Sequence, residues 1–335
     1  LQPDLFISDL KSGFLFTFLG GWLLGLGFAQ AQFPGKAGTQ GSTAIFKDSS
    51  IFIAWASQCE IKRGYQSLLD TSLGKAKSGN DSSALGKAGE NGVLSLGDGG
   101  VASLRFEKTI YNGPGPDFAV FENAFDPSFL ELAFVEVSSD GQHFVRFPAQ
   151  SLTQDSLQLG PFALEGDPSK IHNLAGKYEN FYGTPFDLED LKDSALINVD
   201  SISVVRLVDV VGSIHPSKGS FDAFGRIIND PFPTPFPTSG FDLDAVGIIH
   251  GRNPISALLN FYPNPGRNEL KIKLPDSEIL SFTAYSSLGK KVEMGFTSQN
   301  GITYFDTWHL EAGLYFLHLK TPAGYFKSQW LKLPE

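Results

Sequence analysis

At 335 residues the chain is long enough for about two ordinary domains, and with 41% hydrophobic and 19% charged residues it is too polar for a bundle of membrane-spanning helices. Its 36 acidic against 26 basic residues leave a net charge of −10, the wrong sign for displacing counterions from nucleic-acid phosphates, so no nucleic-acid partner is expected. One cysteine, Cys59, excludes an internal disulfide framework and any zinc site built on cysteines.

Taken in chain order, the first expected element is a signal peptide over residues 1–31. Lys11 precedes the apolar run Gly13–Phe28, and Ala29-Gln30-Ala31 is a small-x-small cleavage pattern that would leave Gln32 as the mature N-terminus. No cysteine follows the run, so a lipid anchor is not expected there. Residues 32–250 read as β throughout. Val101–Glu107, Asp117–Glu122, Leu132–Ser138, His143–Phe147, Ser201–Val211 and Phe241–His250 are rich in β-branched and aromatic residues and bounded by Gly, Pro, Asn and Asp. Asp140-Gly141 between two apolar runs marks a hairpin. Only Tyr65–Leu73 and Leu188–Leu196 read as short helices, and the glycine-rich stretch 74–100 reads as an irregular surface loop. Many short antiparallel strands with long loops predict one β-sandwich of the jelly-roll kind, an all-β binding domain.

A linker is expected over 251–260 and a second, smaller β-domain over 261–335. Pro263 and Pro265 mark its start, and the alternation of Leu270-Lys271-Ile272-Lys273-Leu274 with glycine turns predicts a small antiparallel sandwich. Charge divides the same way. Residues 261–335 hold eight Lys/Arg and seven Asp/Glu, whereas residues 32–260 hold 27 acids against 17 bases.

The motifs of the second domain run in order: Phe261-Tyr262-Pro263-Asn264-Pro265, Asn268, then Ala284-Tyr285-Ser286-Ser287-Leu288-Gly289-Lys290-Lys291-Val292, then Leu310-Glu311-Ala312-Gly313-Leu314-Tyr315-Phe316-Leu317-His318-Leu319-Lys320. Together they resemble the C-terminal sorting domain of the type IX secretion system of Bacteroidota. That resemblance implies export across the outer membrane, contact with the type IX machinery, removal of the domain, and a final place secreted from or attached to the cell surface. In the core, Phe134-Val135-Glu136-Val137-Ser138-Ser139-Asp140-Gly141-Gln142-His143-Phe144 resembles the hairpin of galactose-binding-like jelly rolls found in discoidin-type and carbohydrate-binding modules. Further stretches, among them Ser95-Leu96-Gly97-Asp98-Gly99-Gly100, Asn112-Gly113-Pro114-Gly115-Pro116-Asp117 and Gly240-Phe241-Asp242-Leu243-Asp244-Ala245-Val246, are similar to a family of bacterial secreted proteins known as "cell surface protein". That family brings no assigned activity. The association of some members with cobalamin uptake implies a vitamin-capture role beside an outer-membrane TonB-dependent transporter.

Catalytic motifs are absent: there is no Gly-x-Ser-x-Gly elbow and no His-Glu-x-x-His, and Gly79 with Gly86-Lys87-Ala88 fails the phosphate-loop spacing and lacks its Ser/Thr. No catalytic role is expected. Carboxylates inside apolar strands are more informative, because burying a charge costs several kcal/mol unless it is paired or binds a metal. Asp117 opens its strand, Glu122 ends it, and Asp242 and Asp244, two apart, project from one face of a regular strand. Some of these four would hold a structural Ca²⁺, which takes six to eight oxygens; otherwise they cap turns and accept backbone N–H bonds. Ile214–Gly240 interleaves Phe221, Phe224, Phe232 and Phe236 with Pro231, Pro233, Pro235 and Pro237. Exposed rings on such a stiff backbone would form a stacking platform for a sugar or the flat face of a corrin; buried, they would plug the sandwich. His172, Asn173, Tyr178 and Tyr182 would form a second wall. The sequence thus reads as a secreted, non-catalytic surface protein that binds a small molecule or glycan. The alternatives are a cobalamin-capturing accessory, a Ca²⁺-dependent adhesive or structural protein, and a carbohydrate-active enzyme.

Overall fold

A computed structural model describes residues 33–253, 261–274, 279, 281–321 and 324–334; the expected signal peptide and residues 254–260 of the expected linker lie outside them. The β-branched and aromatic runs form strands. The first are β1 (Ile45–Phe46), β2 (Ala54–Trp55), β3 (Gln58–Lys62), β4 (Leu94–Ser95), β5 (Val101–Ile110), β6 (Phe118–Glu122) and β7 (Ala133–Ser138). They are followed by β8 (Val145–Arg146), β9 (Gln150–Ser151), β10 (Ile171–His172), β11 (Leu174–Ala175), β12 (Tyr182–Phe186), β13 (Ile202–Asp209), β14 (Asp242–Ile248) and β15 (Gly251–Arg252).

Two antiparallel sheets result. The first runs β1-β12-β6-β14-β2, with β4 also on β14; the second runs β11-β7-β13-β5-β15, with β3 on β5 and β8 on β7. From β4 onward the principal strands are dealt between the sheets, so that β4-β14-β6-β12 faces β11-β7-β13-β5. That order is an eight-stranded jelly roll, as the sequence predicts. Ala102 and Leu104 of β5 and Val205 and Leu207 of β13 share one core with Phe118 and Val120 of β6 and Leu243, Val246 and Ile248 of β14. A slip of one residue in any ladder would turn these side chains outward, which fixes the register.

The outer faces are covered too. Ala119, Phe121 and Ala245 pack under Phe52 and Trp55, and Leu130, Leu132, Phe134, Ile171 and Ile228 form a cluster outside the second sheet. Burial on both faces is why β6 and β7 read as continuous apolar runs rather than alternating ones. At the predicted hairpin, Asp140 Oδ1 accepts the N–H groups of Gln142 (2.8 Å) and His143 (2.9 Å), and Gly141 sits at φ 77°. The expected strand His143–Phe147 shortens there to Val145–Arg146. The two expected helices are single 3₁₀ turns, Thr71–Leu73 and Leu188–Leu191. The glycine-rich stretch is irregular and tied down by Arg63, whose guanidinium donates to the carbonyls of Ser78, Gly79 and Ser95.

Gly176 is the sharpest backbone constraint near the later site. It holds φ 83°, and a Cβ there would lie 1.8 Å from the Glu131 carbonyl oxygen. Gly176→Ala is expected to destabilise the core by roughly 3 kcal/mol, since the new methyl meets backbone in a left-handed conformation. Urea unfolding of the variant checks this; a loss below about 1 kcal/mol would contradict the packing.

Residues 261–334 form a second all-β unit from β16 (Phe261–Tyr262), β17 (Leu270–Lys273), β18 (Ser281–Ser286), β19 (Lys291–Val292), β20 (Phe296–Gln299), β21 (Ile302–Phe305), β22 (Gly313–Thr321) and β23 (Gly324–Lys332). They make two four-stranded sheets, β16-β17-β21-β20 and β19-β18-β22-β23, around Leu270, Ile272, Ala284, Leu317 and Trp330. One boundary differs from the sequence reading. Gly251 and Arg252, expected in the linker, are an edge strand of the jelly roll, paired with Ile110 and Thr109 of β5.

Candidate functional site

One cleft of the jelly roll lies under residues 152–167, the long connection from β9 toward β10. Its shape is set from a distance by Asn229, 1% exposed. The Asn229 Nδ2 donates to the carbonyls of Gln154 and Leu157, both at 2.8 Å, while Oδ1 accepts the Leu159 N–H (3.1 Å) and Gln158 Nε2 (3.2 Å). Gln158 also donates to the Gly212 carbonyl and accepts the Ile214 N–H, and the Phe232 N–H donates to the Leu159 carbonyl. The connection is thereby fastened onto the Phe/Pro segment.

Under it lies a cavity of about 290 Å³. Leu130, Leu132, Leu159, Ile171 and Pro231 give it an apolar lining, and Thr153, Gln154, Glu165, Asp167 and Lys170 supply polar groups. A shallower depression along Ser156–Ala163 shares Gln154, Leu159 and Glu165 with it. Phe162, 67% exposed, lines that depression and stacks on Phe236 with ring centroids 5.4 Å apart and planes 26° apart. Leu157 and Leu164 are exposed beside it.

The four predicted rings do not form one platform. Phe232 is buried and plugs the core, while Phe236 is half-buried against Phe162. Phe221 and Phe224 are exposed, but they belong to a separate hairpin closed by the Phe221–Ile227 bridge, with the Arg226 guanidinium over Phe224. None of the four lines the cavity, whose aromatic neighbour is Phe162. Sequence reasoning passed over Phe162 although it follows Gly160-Pro161 in a turn-rich stretch of the kind that drew attention to the Phe/Pro segment. His172 and Asn173 line a different cavity, on the other side of the β10 strand from Ile171. Tyr178 is buried with its hydroxyl 2.8 Å from Thr43 Oγ1, and Tyr182 stacks near Phe46, so the expected second wall is divided as well.

Of the four candidate metal ligands, Glu122 and Asp242 feel each other's charge across the β6–β14 ladder, whereas Asp117 stands at the far end of β6. Asp117 Oδ1 accepts the Gly113 N–H and meets His250 Nδ1 (both 2.8 Å), and its Oδ2 accepts the Leu188 N–H (2.7 Å). Glu122 Oε2 accepts the Ala124 N–H (2.8 Å), Asp242 accepts the Ser95 hydroxyl, and both Asp244 oxygens accept the Gly89 N–H. Asp117 and Glu122 flank opposite ends of β6, roughly 16 Å apart at the rise of an extended strand, too far to share an ion. The ladder shifts register between Leu243 and Ala245, and Asp242 reaches Ser95 of β4 while Asp244 reaches the Gly89 backbone. Among the described residues no three His, Cys, Asp or Glu side chains are grouped to hold a metal. In this structure these carboxylates accept hydrogen bonds from backbone N–H groups and from the Ser95 hydroxyl.

A wider set of buried acids surrounds the start of β14. Asp209 accepts the Phe241 N–H (2.7 Å) and the Gly99 N–H (2.9 Å), and Asp230 accepts the Leu132 N–H (2.7 Å). Burial pushes the carboxyls of Asp98 and Asp242 up to about 6. Glu122, Glu131, Asp209 and Asp230 are raised well above the carboxylate range, by burial first and by one another's charge second.

The chain is thus an all-β protein, an eight-stranded jelly roll with a cleft at its loops followed by a small appended β-domain. That appended domain is a secretion signal: residues 260–331 match the family described as "Secretion system C-terminal sorting domain". The chain is thus exported by the type IX secretion system of Bacteroidota to the cell surface or extracellular space. No curated protein shows significant similarity to it. Among solved structures, a beta-1,2-glucanase from Parabacteroides distasonis is similar over 87% of this chain and 39% of its own, at 12% identity and a TM-score of 0.23. The BSP domain of a biofilm associated protein is similar over 73% of this chain and 49% of its own, at 9% identity and a TM-score of 0.20. This chain spans less than half of either, and at those scores neither lends it a fold or an activity.

Proposed function

We propose that this is a non-catalytic binding protein of the cell surface that takes a glycan in the cleft under residues 152–167. The observation that carries the reading is the Phe162–Phe236 ring pair beside a preformed cavity with an apolar lining and a polar rim. A ring left two-thirds exposed offers its face to the C–H face of a sugar, while rim groups such as Lys170 and Glu165 reach hydroxyls. The carboxylates of the cavity are Glu165 and Asp167, and Asp167 Oδ1 is committed to the N–H and hydroxyl of Ser169. A glycosidase needs two carboxylates free to face the scissile bond, so binding without turnover fits better. The cavity, at about 290 Å³, suits one or two sugar rings rather than an enclosed corrin.

The test is a glycan panel followed by calorimetric titration of the full-length chain. Phe162→Ala is expected to weaken binding at least about tenfold, or ~1.4 kcal/mol, with the melting temperature unchanged because the ring is so exposed. Equal affinity in Phe162→Ala and Phe236→Ala would overturn the reading. Cobalamin titrated in the same way decides between glycan and vitamin capture.

A further inference from the structure

We infer that the jelly roll carries a second ligand site, for a hexuronate-type acidic sugar, in the cavity of about 580 Å³ beside β10 and β12, with Lys177 as its anion-binding group. The inference is independent of the glycan cleft and concerns different residues.

It begins with a buried cation that lacks a counter-ion. Lys177 is 4% exposed, and its Nζ donates to the Ile171 carbonyl at 2.8 Å. An ammonium has three donors, and among the described residues no carboxylate lies within ion-pair distance of this one. The Tyr178 ring, 5.5 Å away, is its aromatic neighbour. Burial lowers the Lys177 ammonium to about 8, which still leaves it mostly charged at neutral pH. A buried ammonium with donors to spare, lining a cavity, is completed by a ligand carboxylate.

The rest of the lining describes the body of that ligand. Phe33 and His172 stack with centroids 4.9 Å apart and planes 13° apart, and the Phe33 N–H is pinned to the Ser169 carbonyl, giving a flat wall. Burial lowers the pKa of His172, so this wall is neutral at pH 7. Asp187 and Asp190 line the same cavity. Asp190 is steered by Asn173, which holds φ 52° and donates its Nδ2–H at 3.0 Å. Asp187 Oδ1 accepts the Glu189 N–H and Asp190 Oδ2 the Asn173 amide, which leaves each aspartate acceptor capacity for ligand hydroxyl groups. A simple hydrocarbon acid would leave the remaining acceptor sites of these aspartates unused, and a neutral sugar would leave Lys177 without a counter-ion. A phosphate would bring two negative charges beside two aspartates. A sugar ring bearing one carboxylate satisfies all three groups.

The experiment is titration of the full-length chain at pH 7 with D-galacturonate and D-glucuronate, against galactose, glucose and acetate. A uronate should bind at least about tenfold more tightly than the neutral sugars or acetate. Lys177→Met should abolish that binding with an equal or higher melting temperature, because a buried charge is removed. Asp190→Asn should weaken it, and Phe162→Ala should leave it unchanged. No uronate binding at millimolar concentration, undiminished binding in Lys177→Met, or equal binding of acetate would each overturn the inference. Loss of uronate binding in Phe162→Ala would place the ligand in the cleft and overturn it too.

Discussion

Lowering the pH from about 7.5 to about 5 is expected to raise the melting temperature of this protein. Most proteins lose stability toward acid because their carboxylates are paired in the folded state. Here burial raises Asp98, Glu122, Glu131, Asp209, Asp230 and Asp242 above their unfolded values. A group raised on folding contributes its full stability below its unfolded pKa and loses it as the pH climbs through the folded one. For Asp98 and Asp242, carried from 3.8 to about 6, the loss falls between about pH 4 and pH 6. Each returns roughly 1.5 kcal/mol between pH 7.5 and 5. The other four add in the same direction, and the cluster titrates as a set rather than residue by residue. Asp140, whose carboxyl the His143 side chain holds far below the usual range, opposes the trend only in stronger acid, whereas His172, lowered by burial, opposes it within this window as a single group against six. Together the buried acids should lift the melting temperature by about 5–10 °C. Scanning calorimetry in EDTA-containing buffer reads the effect as a proton effect alone, and a lower melting temperature at pH 5 than at 7.5 would refute it.

The second large effect is expected at Asn229. Replacing it with alanine removes the four side-chain hydrogen bonds that hold residues 154–159, and it leaves the Gln154 and Leu157 carbonyls and the Leu159 N–H without that partner. Asn229→Ala should destabilise the core by about 3–4 kcal/mol. It should also speed amide exchange through residues 154–159 and abolish ligand binding in the cleft. Asn229→Asp should do no better, since a carboxylate cannot donate to two carbonyls. Urea unfolding with amide exchange by mass spectrometry checks both. A loss under about 0.5 kcal/mol would mean that the connection is held by something other than Asn229.

The jelly roll was legible because its signals are local. Runs such as Phe118–Glu122 and Ala133–Ser138 are apolar along their whole length, and turn residues bound them. The appended domain was legible for the same reason, through Pro263, Pro265 and the alternation around Leu270–Leu274. The cleft was not. Its aromatic, Phe162, is a single ring in a polar stretch, and its architect, Asn229, acts on carbonyls more than 70 residues earlier in the chain. Nothing in a local pattern pairs the two. The candidate metal set is likewise divided in space. Spacing says which face of a strand a carboxylate leaves from, but Asp117 and Glu122 are separated by the whole of β6, and Asp242 and Asp244 bond to Ser95 of β4 and to the Gly89 backbone. His172 and Asn173, expected as a second wall of the same site, line a separate cavity instead.

The two-residue strand β15 has a mechanical meaning. Any pull on the jelly roll from its C-terminal side enters at Arg252, which is held by its ladder to Thr109 and by its guanidinium on the Asp200 carbonyl. Load therefore reaches the border of the second sheet before it reaches β13 or β7. Detaching that short border pair slackens the chain while the interleaved strands behind it, and the cleft they support, keep their shape. Past that pair the chain runs directly into β14, so the two residues of β15 are the last short contact before an interior strand of the first sheet takes the load.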